Sequence, residues 1–341
     1  MGLGFGLGLW SSPEWRGLAV AWVDEQFRAA GIARAGDVTQ PHLRPWGTVL
    51  RVPSDAGVFW LKAPGPQTLF EIDLYRLFPV VCPDRTLNPL ACDAEQGWML
   101  LPDGGAVLGD RADAGALVEA LVRIMPRYAA LQRDLAPHVE KLLDVGVADM
   151  RPARMPERFD EALAVVGAYA ERHGKPADHT MLAKVAAMRG TVRGWCDELA
   201  TSPVPHSLDH GDLHAWNIFS SAASRNGSAT FYDWGDSVVG HPFASMLVGL
   251  GFLRQFLGVR DNNAAVLRVR DAYLGAFADQ ADRGRLVRDL ELACQVAKVA
   301  RVLTWDRSLR AQGYELAGDF GRAPLRSLTA LLRKSPLQLG A

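Results

Sequence analysis

The stretch that decides the fold is His210-Gly211-Asp212-Leu213-His214-Ala215-Trp216-Asn217, and Phe231-Tyr232-Asp233-Trp234-Gly235-Asp236 follows it after a turn rich in Ser, Arg, Asn and Gly. The two segments contain an acid, an amide five positions later and a second acid, namely Asp212, Asn217 and Asp233. The residues on either side of the turn predict a β-hairpin over 217–220 and 230–233. The order and spacing of these three side chains carry more information than any one of them.

These three side chains suit the transfer of a γ-phosphoryl group, which needs an oriented hydroxyl and metal ions that neutralise charge on the phosphates. Asp212 would accept a hydrogen bond from the acceptor hydroxyl and take its proton late in the reaction. Asn217 and Asp233 would offer oxygens to a cation, and Mg²⁺ prefers carboxylate, phosphate and water oxygens. Each residue alone is also typical of a turn or a strand edge. Their joint occurrence favours phosphoryl transfer.

Lys62 is the only lysine before Lys141, and it ends a predicted strand that precedes a predicted helix. A compact ammonium at this point could hold the α- and β-phosphates of a nucleotide if a helical acid fixes its position. Glu71 is the best candidate for that acid, because Asp73 lies roughly 200° around the same helix. An exposed lysine at a strand end would be the favoured interpretation if the two acids described above were absent.

The 341 residues have the composition of a globular protein, with 49% hydrophobic and 22% charged residues. The net charge of -1 offers no basic field to a nucleic-acid backbone, so we expect no nucleic-acid partner. No apolar run is long enough to cross a bilayer, so we expect no membrane partner. The four cysteines form no CxxC pair, which indicates reduced thiols in the cytoplasm. We expect the apolar residues 1–10 to form a loose, partly ordered arm.

The chain is rich in strand patterns at first and in helix patterns afterwards, with Pro102-Asp103-Gly104-Gly105 between the two parts. Short apolar runs predict strands at 49–52, 58–61 and 98–101, and the first two flank a four-residue turn typical of a hairpin. Helical periodicity predicts helices at 15–30, 68–78, 114–135, 155–173, 179–200, 243–257, 264–281 and 285–309. This order predicts a small α+β lobe joined to a larger helical lobe.

The motifs described above resemble those of the aminoglycoside phosphotransferase family, the small-molecule branch of the protein-kinase-like fold. The resemblance rests on Lys62, Glu71, the loop from His210 to Asn217, and Asp233-Trp234-Gly235-Asp236. It implies an α+β, two-lobed fold with a small antiparallel sheet in the N-lobe and a larger, mainly helical C-lobe. It further implies a nucleotide-binding N-lobe with an N-terminal helical extension over 1–101, a hinge at 102–105 and a C-lobe over 106–341 that holds the catalytic loop and the acceptor site.

Carried over residue by residue, the resemblance implies that ATP and Mg²⁺ are the cofactors and that ATP binds in the cleft. The residues with implied roles are Lys62 at the phosphates, Glu71 as its partner, Asp212 as the catalytic acid/base, and Asn217 and Asp233 as magnesium ligands. The predicted arrangement therefore places one cation and three oxygen-bearing side chains around a triphosphate.

In the hinge, the resemblance implies that the Leu101 carbonyl and the Asp103 amide meet the adenine edge, because Pro102 has no N–H to donate. The chain departs from the protein-kinase pattern in several places, among them the absence of A-P-E after Asp233. No G-x-G-x-x-G precedes the first hairpin strand, which leaves Arg44-Pro45-Trp46-Gly47-Thr48 to cover the phosphates. Gly211 stands between the loop His and the loop Asp, where a protein kinase has Arg.

Two other functions remain open at this point. The cluster His206, His210, Asp212 and His214 could serve a metal-dependent hydrolase, although that function leaves Lys62 and Glu71 unexplained. A kinase-like binding protein without turnover is the third interpretation, and the presence of Asp212 argues against it because binding alone does not require that acid.

The expected activity is transfer of a phosphoryl group to a hydroxyl of a small molecule, such as an amino sugar, a sugar or an antibiotic-like acceptor. Basic residues outnumber acidic ones beyond Asp236, which disfavours a strongly polycationic aminoglycoside. The sequence leaves open the acceptor, a role in antibiotic resistance, ATP versus GTP, and the oligomeric state. It also leaves open the roles of Asp236, His214, Trp305 and Asp306.

Overall fold

The computed structural model describes residues 5–110, 113–220 and 228–339. The chain divides into two compact units. Unit 1 comprises Met1–Gly105 and Arg307–Gly321, and unit 2 comprises Ala106–Asp306 and Arg322–Ala341. Unit 1 contains a five-stranded sheet, whereas unit 2 is mainly helical and has only short strands. The predicted α+β fold class, with a small antiparallel sheet and a larger helical part, is confirmed.

The sheet of unit 1 is antiparallel, with strand order β1-β2-β3-β5-β4. Its strands are β1 (Thr39–Arg44), β2 (Gly47–Ser54), β3 (Gly57–Pro64), β4 (Ala91–Asp93) and β5 (Trp98–Pro102). Asp55 and Ala56 form the two-residue turn of the predicted hairpin, and Gly57 has φ 109°, a conformation that a residue with a Cβ adopts with strain. Strand β1 was not predicted, because its alternating half-buried residues show little apolar contrast.

Two longer helices and one short one complete the first segment of unit 1: α1 (Leu7–Trp10), α2 (Pro13–Ala29) and α3 (Phe70–Val81). Helix α2 begins at a capping Ser12, whose hydroxyl accepts a hydrogen bond from the Trp15 amide at 3.1 Å. Its buried side chains recur at four-residue spacing and join the core formed with the sheet; they are Trp15, Ala19, Val23 and Phe27. Burial of such side chains contributes roughly 1.5–3 kcal/mol each.

The N-terminal arm, predicted to be loose and partly ordered, is helical in its last part, which ends at a buried Trp10. Residues 7–10 form α1, and the Trp10 side chain is only 2% exposed. The Gln40 amide donates to the Trp10 carbonyl at 2.9 Å, which ties the arm to the sheet. The arm is ordered there because a buried indole removes a large apolar surface from water. Residues 1–4 of the predicted arm lie outside the described residues.

Unit 2 contains most of the helices, which generally agree with the predicted ones. They are α4 (Ala114–Leu135), α5 (Val139–Asp144), α6 (Met155–His173), α7 (Pro176–Ala186), α8 (Arg189–Leu199), α9 (Met246–Leu257), α10 (Ala264–Gly275), α11 (Arg283–Leu309, whose end belongs to unit 1) and α12 (Ala323–Thr329). Short 3₁₀ helices occur at Leu108–Asp110, Ala136–His138, Pro152–Arg154, Ala215–Asn217, Pro242–Ser245, Glu315–Arg322 and Ala330–Leu332. None of the helices in the described ranges combines the length and the apolar character that crossing a membrane requires.

The predicted helix over 179–200 is wrong in one respect, because two helices, α7 and α8, occupy this region. The chain turns at 187–188, where the Met188 amide donates to Val185. Val185, Val192 and Cys196 are all buried, at spacings of seven and four residues. The apolar pattern therefore continues through the break, and periodicity alone could not locate it.

The short strands of unit 2 lie next to the two motif segments, 210–217 and 231–236. Strands β6 (Ala148–Asp149), β7 (Ser207–Asp209) and β10 (Val238–Gly240) form a sheet in which β10 lies between the other two. Strands β8 (Ile218–Phe219) and β9 (Thr230–Phe231) form the predicted second hairpin. Because β7 precedes the His210 loop and β10 follows the Asp233 segment, their pairing holds both segments side by side.

Replacing Trp10 with Ala should lower the free energy of unfolding by about 3–5 kcal/mol, since it removes a buried indole from the core of unit 1. The matched control is Leu18→Ala on α2, whose side chain is 66% exposed and which should change stability by no more than about 0.5 kcal/mol. Chemical denaturation measures both values. Equal stability of the Trp10 variant and the wild type would restore the loose-arm interpretation.

Candidate active site

The Lys62–Glu71 pair lies within unit 1. Lys62 is on β3, where it faces Val49 of β2 and Met99 of β5 across the strand pairs, and Glu71 is in the first turn of α3. The Lys62 Nζ lies 2.6 Å from Glu71 Oε1. The side chain of Glu71 is 1% exposed and that of Lys62 is 19% exposed. The pairing that the sequence suggested is therefore observed, and the contact of Lys62 with phosphates stays a prediction.

Because Glu71 is buried, its carboxylate depends on the cation of Lys62. A buried carboxylate that loses its cationic partner retains the full cost of its desolvation. Glu71 consequently restrains the ammonium of Lys62 at one place on the central strand of the sheet. In an exposed pair of the same unit, Arg34 with Asp24, neither group depends on its partner in this way, because water solvates both.

The loop that follows β7 depends on Gly211. This residue has φ 75°, and a Cβ placed on it would lie 2.3 Å from the Asp236 carbonyl oxygen. Only glycine allows both the left-handed conformation and this close approach. The backbone of the second motif therefore occupies the space that a side chain at position 211 would need. Asp236 contributes its backbone to this contact.

His210 supports the loop rather than facing solvent. Its Nε2 lies 2.9 Å from the Tyr232 carbonyl oxygen, and its Nδ1 is 3.4 Å from the Asp212 amide. The ring is fully buried with its centroid 4.6 Å from that of Trp234. Burial lowers the pKa of His210, so the imidazole is neutral at physiological pH and bonds at both nitrogens.

The Asp212 carboxylate is held from both sides. Its Oδ2 lies 3.3 Å from His214 Nε2, and its Oδ1 lies 3.2 Å from the Arg301 Nη2. Burial opposes ionisation, but the hydrogen bond from His214 and the positive charge of Arg301 hold the pKa of Asp212 well below its usual range. For His214, burial acts to lower the pKa and the contact with Asp212 prevails to raise it. Asp212 is therefore an anion at neutral pH.

Asn217 is fixed beside Asp212. Its Nδ2 donates to the Asp212 carbonyl oxygen at 2.9 Å, and its side-chain oxygen takes no part in this contact. The Asn217 carbonyl accepts a hydrogen bond from the Tyr232 amide at 3.3 Å, which joins the loop to the residue before Asp233. The β8–β9 hairpin thus brings the predicted amide and the second predicted acid to the same part of unit 2.

Asp233 is the one residue other than glycine with a positive φ in the described part of the chain, at 66°. A residue with a Cβ adopts this conformation at a cost of roughly 1 kcal/mol, and Asp tolerates it better than most. The side chain is exposed, and its charge acts on both His210 and His214. The structure therefore brings Asp212, Asn217 and Asp233 together within unit 2.

A buried polar network behind the loop was not predicted from the sequence. Ser245 Oγ donates to Asp209 Oδ1 at 2.7 Å, and Tyr128 OH lies 2.7 Å from Ser245 Oγ. The Gln132 amide donates to the Leu208 carbonyl at 3.0 Å. Burial raises the pKa of Asp209 to about 6, although Ser245 and the Gly211 amide donate to it. The network holds β7, from which the loop emerges.

Arg301 is the other residue that sequence reasoning missed. It lies on α11, 89 positions from Asp212, and no motif marks it. Its guanidinium carbon is 5.6 Å from the centroid of the Trp305 ring, so Trp305 packs against the cation that contacts Asp212. Asp306, the next residue, is buried. Helical spacing on α11 predicted that these residues are in a helix, but not which strand or loop they contact.

The two residues predicted to contact adenine, Leu101 and Asp103, lie at the end of β5 and just after it. Leu101 lies on β5 opposite Trp60, and the role of its carbonyl stays a prediction. The Asp103 amide donates to the Val58 carbonyl at 3.0 Å, and Asp103 Oδ2 accepts from Trp60 Nε1 at 2.9 Å. The predicted use of the Asp103 amide for adenine conflicts with this geometry, because the donor continues the β3–β5 pairing instead.

The metal-hydrolase hypothesis does not fit the arrangement of its residues. Within residues 5–110, 113–220 and 228–339, no group of three or more His, Cys, Asp or Glu side chains is placed to hold a metal ion. Both ring nitrogens of His210 lie near backbone partners, and His214 Nε2 faces Asp212. The cluster that included His206 is therefore rejected as a metal site.

Lys62→Met should lower the free energy of unfolding of unit 1 by about 3 kcal/mol, because it leaves the carboxylate of Glu71 buried without its cation. Asp24→Asn breaks the exposed pair with Arg34 and should cost less than about 1 kcal/mol. Thermal and denaturant unfolding of both variants measures the difference. Similar losses in the two variants would mean that the Lys62–Glu71 pair is not a buried restraint.

Gly211→Ala should destabilise the loop strongly, since the new Cβ meets the Asp236 backbone in a left-handed conformation. We expect a loss of more than about 2 kcal/mol, in the range of backbone strain combined with overpacking. Gly258→Ala is the control, because Gly258 has φ 64° and no atom within 4 Å of an added Cβ. Its loss should reflect conformation alone, and a loss as large as that at position 211 would contradict the proposed steric contact.

Comparison with known proteins identifies the family. The model of the phosphotransferase enzyme family matches residues 49–286, more than two thirds of the chain. No curated protein sequence matches this chain significantly.

Three solved structures illustrate the structural likeness. A choline kinase from Cryptosporidium parvum Iowa II has a TM-score of 0.62 at 11% identity, covering 92% of this chain and 94% of that one. An ethanolamine kinase from Plasmodium vivax has 0.61 at 11% identity, covering 85% and 81%. A macrolide 2'-phosphotransferase from Brachybacterium faecium has 0.54 at 14% identity, covering 90% and 97%. At these identities the likeness shows a shared kinase-like fold. Together with the family match, it establishes that this chain belongs to the phosphotransferase enzyme family.

Proposed function

We propose that this chain transfers the γ-phosphoryl group of ATP, with Mg²⁺, to a hydroxyl of a small molecule. The observation that carries the proposal is the anionic Asp212, held beside Asn217 in a member of the phosphotransferase enzyme family. Phosphoryl transfer needs positioned charge more than covalent chemistry, and this loop supplies it. A binding protein without turnover would have no need for the contacts that fix the Asp212 carboxylate.

The oxygen donors of the loop fit Mg²⁺. The Nδ2 of Asn217 donates to the Asp212 carbonyl, so Oδ1 would be the atom offered to a cation, and Asp233 presents an exposed carboxylate. Amide and carboxylate oxygens are hard ligands of the kind that Mg²⁺ prefers, and this ion commonly takes one or two carboxylates together with substrate phosphates. Asn217 and Asp233 would hold the ion, which when bound neutralises charge on the phosphates.

Asp212 is proposed to orient the acceptor. As an anion it can accept a hydrogen bond from the hydroxyl, and its low pKa makes it a weak base, so it would align the hydroxyl first and receive its proton only late, as the new P–O bond forms. The bond to the leaving ADP breaks in the same displacement, and the proton of the hydroxyl ends on the carboxylate. This order suits a loose transition state, in which the attacking oxygen needs little activation.

For the nucleotide, we propose that Lys62, held by Glu71, contacts the α- and β-phosphates and that the Leu101 carbonyl accepts from the adenine amino group. The fully buried Glu71 supports this role, because it keeps the ammonium at one position. The nucleotide-binding lobe over 1–101, the hinge at 102–105 and the acceptor-binding C-lobe over 106–341 are proposed on the same basis. The division of the chain after Gly105 supports the boundary between the lobes. Arg307–Gly321 belongs to unit 1, however, so this segment of the proposed C-lobe groups with the N-terminal part of the chain.

The acceptor is proposed to be a small alcohol, such as an amino sugar, a sugar or an antibiotic-like molecule. The names of the similar structures, which include choline kinase, ethanolamine kinase and macrolide 2'-phosphotransferase, support this breadth. The direct test is release of ADP from MgATP in the presence of a panel of hydroxylated metabolites and antibiotics, followed by mass detection of a phosphorylated product. No phosphorylated product across a broad panel would argue against the proposal.

Asp212→Asn should lower kcat by about 10³ while the Kd for ATP changes little, because the variant keeps the shape of the side chain and loses its charge. Asp279→Asn is the matched control, since Asp279 forms an exposed ion pair with Arg133 and should leave kcat unchanged. ADP release and nucleotide titration give the two quantities. A fully active Asp212→Asn protein would remove Asp212 from the reaction.

Asp233→Asn should raise the Mg²⁺ concentration required for half-maximal activity by about tenfold or more, because one anionic ligand becomes neutral. Activity measured across a Mg²⁺ series at saturating ATP gives this value, with Asp279→Asn again as the control. An unchanged Mg²⁺ requirement would place the ion elsewhere.

A further inference from the structure

The side chain of Arg301 joins helix α11 to the candidate catalytic loop at two points. Its Nη1 donates to the Gly211 carbonyl oxygen at 2.8 Å, and its Nη2 lies 3.2 Å from Asp212 Oδ1. The guanidinium therefore spans a backbone acceptor and a side-chain acceptor in consecutive residues. Two donors in a rigid plane fix both the position and the orientation of their acceptors, which a single point charge cannot do.

The guanidinium is itself restrained. Its side chain is only 15% exposed, and its central carbon lies 5.6 Å from the centroid of the Trp305 ring on the next turn of α11. A side chain held in this way loses little further conformational freedom when it contacts the loop.

Among the described residues, the acids that Arg301 acts on include Asp212 in the loop and Asp209 on the strand before it. Asp212 is in contact, Asp209 is attracted through space, and His214, whose pKa Asp212 raises, contacts the other oxygen of the Asp212 carboxylate. Arg301 and His214 therefore occupy different carboxylate oxygens. Arg301 reaches the carboxylate from helix α11, outside the loop, whereas His214 belongs to the loop itself.

We propose that Arg301 is a positioning residue for Asp212: from helix α11 it fixes the carboxylate and the preceding carbonyl so that the carboxylate meets the acceptor hydroxyl in one orientation. The effect of Arg301 on catalysis rests on the proposed phosphoryl transfer, whereas the positioning of the carboxylate does not require that function. Arg301 touches neither acceptor nor nucleotide in this scheme and acts through Asp212.

The first test needs no substrate. Hydrogen exchange of the full-length protein, followed by mass spectrometry of peptides covering 208–217, compares wild type, Arg301→Met, Arg301→Lys and the control Arg288→Met. Arg288 lies on the same helix and forms a bidentate pair with Glu198 at 2.7 Å, remote in sequence from the loop motif. We expect exchange in the loop to rise about tenfold in Arg301→Met, as loss of a charged hydrogen-bond pair implies. It should rise less in Arg301→Lys and remain unchanged in Arg288→Met.

The second test uses the acceptor identified by the ADP-release panel. Arg301→Met should lower kcat by about 10²-fold, the effect of a small misplacement of a reacting group, while the KM for ATP changes by less than about threefold. Arg301→Lys should recover part of kcat. A purely structural role would change thermal stability without this separation of kcat from KM and without partial recovery by lysine.

The outcomes separate the two proposals. Unchanged loop exchange in a folded Arg301→Met protein overturns the positioning role, whatever the activity. Should Arg301→Met fail to fold, Arg301→Lys decides the matter: loop exchange and kcat equal to wild type in that variant also overturn it. Wild-type protein that phosphorylates no acceptor while Arg301→Met still loosens the loop contradicts the proposed function and leaves the positioning role standing.

Discussion

The close approach of Gly211 to the Asp236 backbone is the constraint on which the candidate site depends. A left-handed glycine places the first motif directly against the second, at a separation that any side chain would prevent. The short strands β7 and β10 then need to pair over only three residues to keep the motifs together. Asp212, Asn217 and Asp233 consequently lie in one part of unit 2, although the motifs are separated in sequence by a turn.

The charges of the site are set by burial as much as by proximity. Asp212 is kept anionic because it faces His214 and Arg301, whereas Asp209, only three residues earlier, has a pKa raised to about 6 by its apolar surroundings. Two carboxylates only three residues apart, one at the end of β7 and one in the loop, thus have pKa values shifted in opposite directions. Asp212, which contacts His214 and Arg301, is ionised, and Asp209 supports the strand through hydrogen bonds from Ser245 and Gly211.

Much of the fold followed from local pattern. Hairpin β2–β3, helix α4 and the hairpin around the central turn were predictable because apolar spacing, turn residues and capping residues act within a few positions. The elements that the sequence pattern did not predict correctly also have physical causes. Helices α7 and α8 share one apolar register across their break, and α1 is ordered by the burial of Trp10 against a distant sheet. Strands of two or three residues, such as β6 and β10, carry no periodic signal.

The family and the two-part fold class were predictable from the sequence, and motif spacing, which is a local property, singled out Lys62, Asp212, Asn217 and Asp233 as candidate site residues. Tertiary structure alone decided that the Asp103 amide bonds to Val58, that His210 is enclosed beside Trp234, and that Arg301 reaches the Asp212 carboxylate. These contacts join residues far apart along the chain. Their partners depend on which surfaces pack together, and no short-range pattern encodes that choice.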